Sequence, residues 1–188
     1  AMTSLFPDDL IDLAGRVLDE NRAAGRRIAV AESCTGGLVA GLLTEIAGAS
    51  DVLDRGFVTY SNGAKQDVLG VHSDMIDTFG AVSIATAWAM ALGALEHSDA
   101  DIAVAITGIA GPGGGTEQKP VGTVVFARAK RGGDPEDIAA DSQLFENADR
   151  TEIRLQAVRC ALELLLPGAD RPSSDTDADV AEDEVGAP

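Results

Sequence analysis

The sequence predicts an α/β fold, with a mixed, mainly parallel sheet covered by helices on both faces. Three observations predict it. Short apolar runs, R-I-A-V-A at 27–31 and D-I-A-V-A-I-T at 101–107, have strand length and no polar side, as doubly covered strands do. Segments with apolar residues at helical spacing separate the strand-like runs. Late in the chain two strand-like runs follow one another across a turn, which implies one antiparallel neighbour.

Each element follows from its residues. Residues 9–24 set Leu10, Leu13, Val17 and Leu18 on one helical stripe. After the strand at 27–31, G-G-L-V-A-G-L-L-T-E-I-A at 36–47 reads as a helix. G-F-V-T-Y at 56–60 alternates as a strand does, and A-K-Q-D-V-L-G reads as a short helix. The run from Ala81 to His97 is helical, with Ser83 as its N-cap. The strand at 101–107 ends in G-I-A-G-P-G-G-G-T, too rich in glycine to be regular throughout. Strands follow at 121–129 and near 138–144, and a last helix sets Ile153, Ala157, Ala161, Leu162 and Leu165 on one side. Active sites in such layers lie beyond the carboxyl ends of strands. Three loops follow strands here, 32–37, 60–65 and 107–116, and are expected at one edge of the sheet.

The 188 residues are 45% hydrophobic, enough for one domain, read as 1–167. Residues 168–188 carry seven acids against Arg171 and no apolar period, so they read as an acidic, disordered tail. The tail accounts for −6 of the formal charge of −17. An acidic chain lacks the basic footprint of a nucleic-acid binder. No run reaches the ~18 apolar residues of a membrane span. The start, A-M-T-S-L-F-P-D-D, lacks the pattern of a secretory signal, so the expected compartment is the cytoplasm. Two cysteines and two distant histidines offer little for a metal, and no metal is expected.

The stretch A-E-S-C-T-G-G at 31–37 leaves two roles open for Ser33: cap of the next helix, or nucleophile beside backbone N–H groups of Thr35, Gly36 and Gly37 that receive an oxyanion. A serine nucleophile needs a base. His72 sits in a polar turn and His97 at a helix end, so both read as structural. Lysine is the other choice, because a dry lysine titrates near neutral pH. T-Y-S-N-G-A-K supplies Lys65, with Tyr60 and Asn62 in the same loop, although an exposed helical lysine fits the pattern too. Cys34 is a rival nucleophile or a small packed residue. The glycine loop, with Gly108, Gly111 and Gly113, either cradles phosphate through its amides or is a plain connection. Lys119 and Arg150 either add charge for a phosphate or are solvated cations.

Four motifs in this order, A-E-S-C-T-G-G, G-x-V-T-Y-S-N-x-A-K with L-G-V, G-A-V-S, and T-G-I-A-G-P-G-G-G-T-x-x-K-P-V-G-T-V, resemble the CinA C-terminal domain family over about residues 8–166. The resemblance implies a three-layer α/β/α sandwich, often paired as a homodimer. It implies deamidation of nicotinamide mononucleotide to nicotinate mononucleotide in NAD salvage, with no cofactor. It carries a Ser–Lys–Tyr set onto Ser33, Lys65 and Tyr60, and Thr107 into the same pocket. Family members often read F-x-G-x-R before the last helix, whereas F-E-N-A-D-R here matches Arg150 more loosely. The competing expectations are a nucleotide-binding or interaction module without catalysis, and an amidase for another small amide.

Overall fold

The computed structural model of the protein describes residues 4–134 and 139–170. Among them, β1 (Ile28–Glu32), β2 (Leu53–Val58), β3 (Ile102–Gly108), β4 (Thr123–Lys130) and β5 (Ala139–Leu144) form one sheet in the order β2-β1-β3-β4-β5. The helices are α1 (Asp8–Ala23), α2 (Leu38–Thr44), α3 (Asn62–Leu69), α4 (Ser73–Phe79), α5 (Ile84–Glu96) and α6 (Arg150–Leu165). β1 pairs parallel with β2 and β3, while β4 is antiparallel to both β3 and β5. Four of the five strands therefore share a direction. The single antiparallel neighbour expected from the turn becomes two pairings, because β4 inserts between β3 and β5.

The two central strands explain the three layers. β1 reads I-A-V-A and β3 reads I-A-V-A-I, and they pair like with like: Ile28 with Ile102, Ala29 with Ala103, Val30 with Val104. Side chains alternate across a strand. One face thus presents Ile28, Val30, Ile102, Val104 and Ile106, which pack with α1, α2 and α6. The other presents Ala29, Ala31, Ala103 and Ala105, which pack with α3, α4 and the alanine-rich α5. Small residues on both sides bring α5 close to the sheet.

α1, α5 and α6 lie where helical spacing puts them, and Ser83 Oγ accepts from Thr86 N at the start of α5. α2 is shorter than expected: Gly36 (φ 63) and Gly37 (φ 96) form a left-handed turn that a helix cannot include. β2 starts at Leu53 and ends at Val58 instead of spanning 56–60. α4 gives almost no sequence signal, since seven residues bury only Ile76. β5 begins at Ala139, and Ile138 lies outside the described residues. Residues 171–188, most of the expected acidic tail, also lie outside them. No helix among the described residues is long and apolar enough to cross a membrane.

Candidate active site

The alternation that builds the layers also separates Glu32 from Ser33. Glu32 continues the Ile28–Val30 side, towards α2, and is wholly buried. Its carboxylate accepts from Gly37 N (3.0 Å), Val39 N (3.1 Å) and Ala40 N (2.9 Å). It does the work of an N-cap for α2, whose formal cap, Gly37, has no side chain to offer. Ser33 extends the ladder through its amide, which donates to Ile106 O at 2.9 Å. Its hydroxyl continues the Ala29–Ala31 side, towards α3. Ser33 therefore does not cap the helix that follows it.

α3 starts at the N-cap Ser61, whose Oγ accepts from Ala64 N at 3.0 Å. One turn later Lys65 points inward and is 1% exposed. Its Nζ lies 3.0 Å from Ser33 Oγ, 3.0 Å from Thr59 O and 3.2 Å from Tyr60 O. Three partners suit both forms of the amine. An ammonium donates three times; a neutral amine donates to the two carbonyls and accepts the serine proton. Burial favours the neutral form, lowering the Lys65 pKa below the ordinary lysine value, with an opposing pull from the Cys34 thiol.

Cys34 packs into the α1–α2–α6 layer and also borders the cleft beside Ser33. Burial, helped by Glu32, pushes its thiol up to about 11 against smaller downward pulls from its own amide, Arg154 and Lys65. A thiol so raised is protonated at neutral pH and is a poor attacker.

Loops after β1, β2 and β3 meet at the carboxyl ends of these adjacent strands, around a cleft of about 210 Å³. Ser33, Lys65, Tyr60, Asn62, Thr107, Gly108 and Arg150 all line it. Thr107 Oγ1 donates to Ala81 O at 2.8 Å and thereby holds the segment between α4 and α5 against the cleft. Tyr60 is 60% exposed at the mouth, and its hydroxyl accepts from Arg150 Nη2 at 3.3 Å. Its link to Lys65 is through the backbone carbonyl. Arg150 Nη1 also donates to Gly111 O at 2.6 Å, tying the glycine loop to α6.

Six expected binding residues, Thr35, Gly36, Gly37, Gly111, Gly113 and Lys119, stand outside the lining. Thr35 is buried, and the amides of Gly36 and Gly37 already donate to Ser33 O and Glu32. Neither amide is free to receive an oxyanion. Gly111 is buried behind the loop, where a Cβ would meet Val121 Cγ1 at 2.5 Å, and Gly113 is exposed. Lys119 sits apart, its Nζ donating to Phe79 O at the end of α4. Among the described residues no three metal-ligating side chains gather.

Residues 10–168 match the family described as the CinA C-terminal domain. The chain belongs to that family. This CinA domain is 48% identical over 145 residues to the nicotinamide-nucleotide amidohydrolase PncC of Enterobacter agglomerans, covering 77% of this chain and 86% of the relative. The PncC of Escherichia coli K12 is 46% identical, with 84% of this chain and 93% of the relative covered. A CinA-like protein of Chlorobium phaeovibrioides is 46% identical over 86% of this chain, which matches only 38% of that relative's length. Among solved structures, the competence/damage inducible protein CihA of Agrobacterium tumefaciens superposes with a TM-score of 0.83 at 54% identity, over 87% of this chain and 97% of that one.

Three features of this CinA domain carry little local sequence signal. Glu32 is one position from Ser33, and alternation along β1 assigns it to the other face. Ala81 and Val82, in G-A-V-S, line the cleft because α4 turns the chain back. Arg154, one helical turn beyond Arg150, donates from Nε to Cys34 O (3.1 Å) and from Nη2 to Thr35 O (3.0 Å).

Proposed function

We propose that the protein is an amidohydrolase that converts nicotinamide mononucleotide and water to nicotinate mononucleotide and ammonia, serving NAD salvage in the cytoplasm. The observation that carries this reading is the buried Lys65 amine 3.0 Å from the Ser33 hydroxyl. The names of the two PncC relatives support the substrate.

Neutral Lys65 takes the Ser33 proton as Oγ attacks the carboxamide carbon. The carboxamide oxygen becomes anionic, and the positive pyridinium ring favours the attack. Lys65 returns its proton to the amide nitrogen, the C–N bond breaks, and ammonia leaves an ester on Ser33. Water, deprotonated by Lys65, then cleaves that ester and restores the hydroxyl. Tyr60 contributes its carbonyl to Lys65 and its hydroxyl to Arg150.

Size divides the substrate. Whole-ligand pockets usually occupy roughly 300–1,000 Å³, and this cleft is smaller. It suits the ring and carboxamide, leaving ribose and phosphate at the mouth with Asn62, Arg150 and the glycine loop. The same reading includes a homodimer, for which exposed Phe79 and Ile84 offer apolar surface, and sedimentation velocity checks it.

The test is direct. Purified protein is incubated with nicotinamide mononucleotide, nicotinamide riboside and nicotinamide, and ammonia and acid product are measured. Turnover of the mononucleotide above the others is expected, with Ser33→Ala below about 10⁻⁴ of the wild-type rate. Full activity in Ser33→Ala would remove the serine mechanism.

A further inference from the structure

α6 begins with a complete capping box, Asp149 with Glu152, which fixes the direction in which its first two turns project. Arg150 and Arg154 are four residues apart and so lie on one side of the helix. Arg150 holds Gly111 O and the Tyr60 hydroxyl; Arg154 holds Cys34 O and Thr35 O. One helix thus fastens all three loops that make the cleft. Arg154 itself is not among the cleft-lining residues.

What Arg154 does to the turn follows from peptide geometry. In a trans peptide the C=O and the next N–H point in opposite directions. Drawing Cys34 O to the guanidinium therefore turns the Thr35 N–H away from it. A rigid fork on two successive carbonyls fixes the rotation of that peptide plane, which a point charge would not. The other amides of the turn are already committed: Ser33 to Ile106 O, Gly36 to Ser33 O, Gly37 to Glu32, and Leu38 to Thr35 O. The turn is thus held by its own hydrogen bonds and, through two carbonyls, by Arg154.

We propose that Arg154 is a positioning residue for the amide hydrolysis: by clamping the two carbonyls after Ser33, it fixes the turn that holds the Ser33 hydroxyl against Lys65. The inference rests on the Ser33 nucleophile of the preceding section. Arg154 does not touch the substrate; it acts through the backbone it holds.

The experiment compares wild type with Arg154→Ala and Arg154→Lys in the full chain. It measures kcat and KM for nicotinamide mononucleotide, Tm, and the rate at which a fluorophosphonate probe labels Ser33. A misplacement near 1 Å costs about 10²-fold in rate, so losing the clamp is expected to cost about 10–100-fold in kcat with KM within about twofold. Probe labelling should slow alike, since it too begins with attack by the Ser33 hydroxyl. Tens of millimolar guanidinium should restore part of the alanine variant's rate, and lysine should not substitute for arginine. Should the alanine variant fail to fold, the lysine variant carries the same comparison. Kcat and labelling within twofold of wild type would overturn the proposal, as would a loss that guanidinium leaves unchanged and that follows a lowered Tm. Arg154-dependent labelling without mononucleotide turnover keeps the inference and removes the substrate. A wild type that neither labels nor turns over removes both.

Discussion

Glu32 and Ser33 are adjacent in the chain and serve opposite sides of the sheet: the carboxylate binds three amides at the start of α2, those of Gly37, Val39 and Ala40, and the hydroxyl meets Lys65 of α3. The pair makes the end of β1 a rigid branching point. Helix capping and the contact with Lys65 fall to neighbours, Glu32 and Ser33.

Glu32→Gln should therefore cost stability first. An amide in place of the carboxylate turns a donor towards α2 amides that need acceptors. N-cap losses run to about 2 kcal/mol, which for a chain of this length lowers Tm by roughly 4–8 °C. Thermal unfolding checks it, and an unchanged Tm would show that water replaces the carboxylate without cost.

Lys65 links activity to pH. Its pKa is lowered by burial, so in the window between its folded value and the ordinary lysine value the unfolded chain binds more protons than the folded one. Stability therefore rises with pH across that window, and below it the full cost of a buried ammonium is present. The kcat/KM should rise through the folded value too, as the base is freed. Lys65→Met should flatten the stability profile and cost about 10²–10⁴ in rate. Paired Tm and rate profiles would contradict this if wild type and variant ran parallel.

Cys34→Ala should leave kcat within about threefold of wild type. With the thiol at about 11, only about 0.1% is thiolate at pH 8. Slow alkylation of Cys34 by iodoacetamide, followed by mass spectrometry, is the companion measurement. Activity lost in this variant and kept in Ser33→Ala would make sulfur the nucleophile.

Gly93→Ala reaches the site from a distance. A Cβ on Gly93 of α5 would lie 2.0 Å from Leu69 O, at the end of α3. α3 must move away, and it carries Lys65. Overpacking costs about 1–3 kcal/mol, and a displacement near 1 Å costs about 10²-fold in rate. A lowered Tm and a kcat reduced about 10–100-fold are expected, and wild-type values for both would mean that the contact relaxes elsewhere.

Much of this was legible in the residues. The runs I-A-V-A and I-A-V-A-I are short, apolar and bounded, so periodicity identifies both central strands. The long helices α1, α5 and α6 carry enough turns to show their stripes. α4 does not, because seven residues complete barely two turns. β4 reads as a strand, but its place beside β3 depends on pairings 16–28 residues apart, Gly108 with Val124 to Ile102 with Lys130, that no local pattern encodes. At the site, Lys65 and Tyr60 were visible as a loop, while the distance to Ser33 arises only when β1 and β2 pair. Arg154 gave no local signal, since an arginine on a polar helical face looks like any other.

α6 follows every other described element of the cleft, yet its two arginines hold the tethers to Cys34, Tyr60 and Gly111. In chain order Ser33 and Lys65 come before the brace that ties their loops, so a polypeptide interrupted before residue 150 would carry both side chains without the tethers from α6.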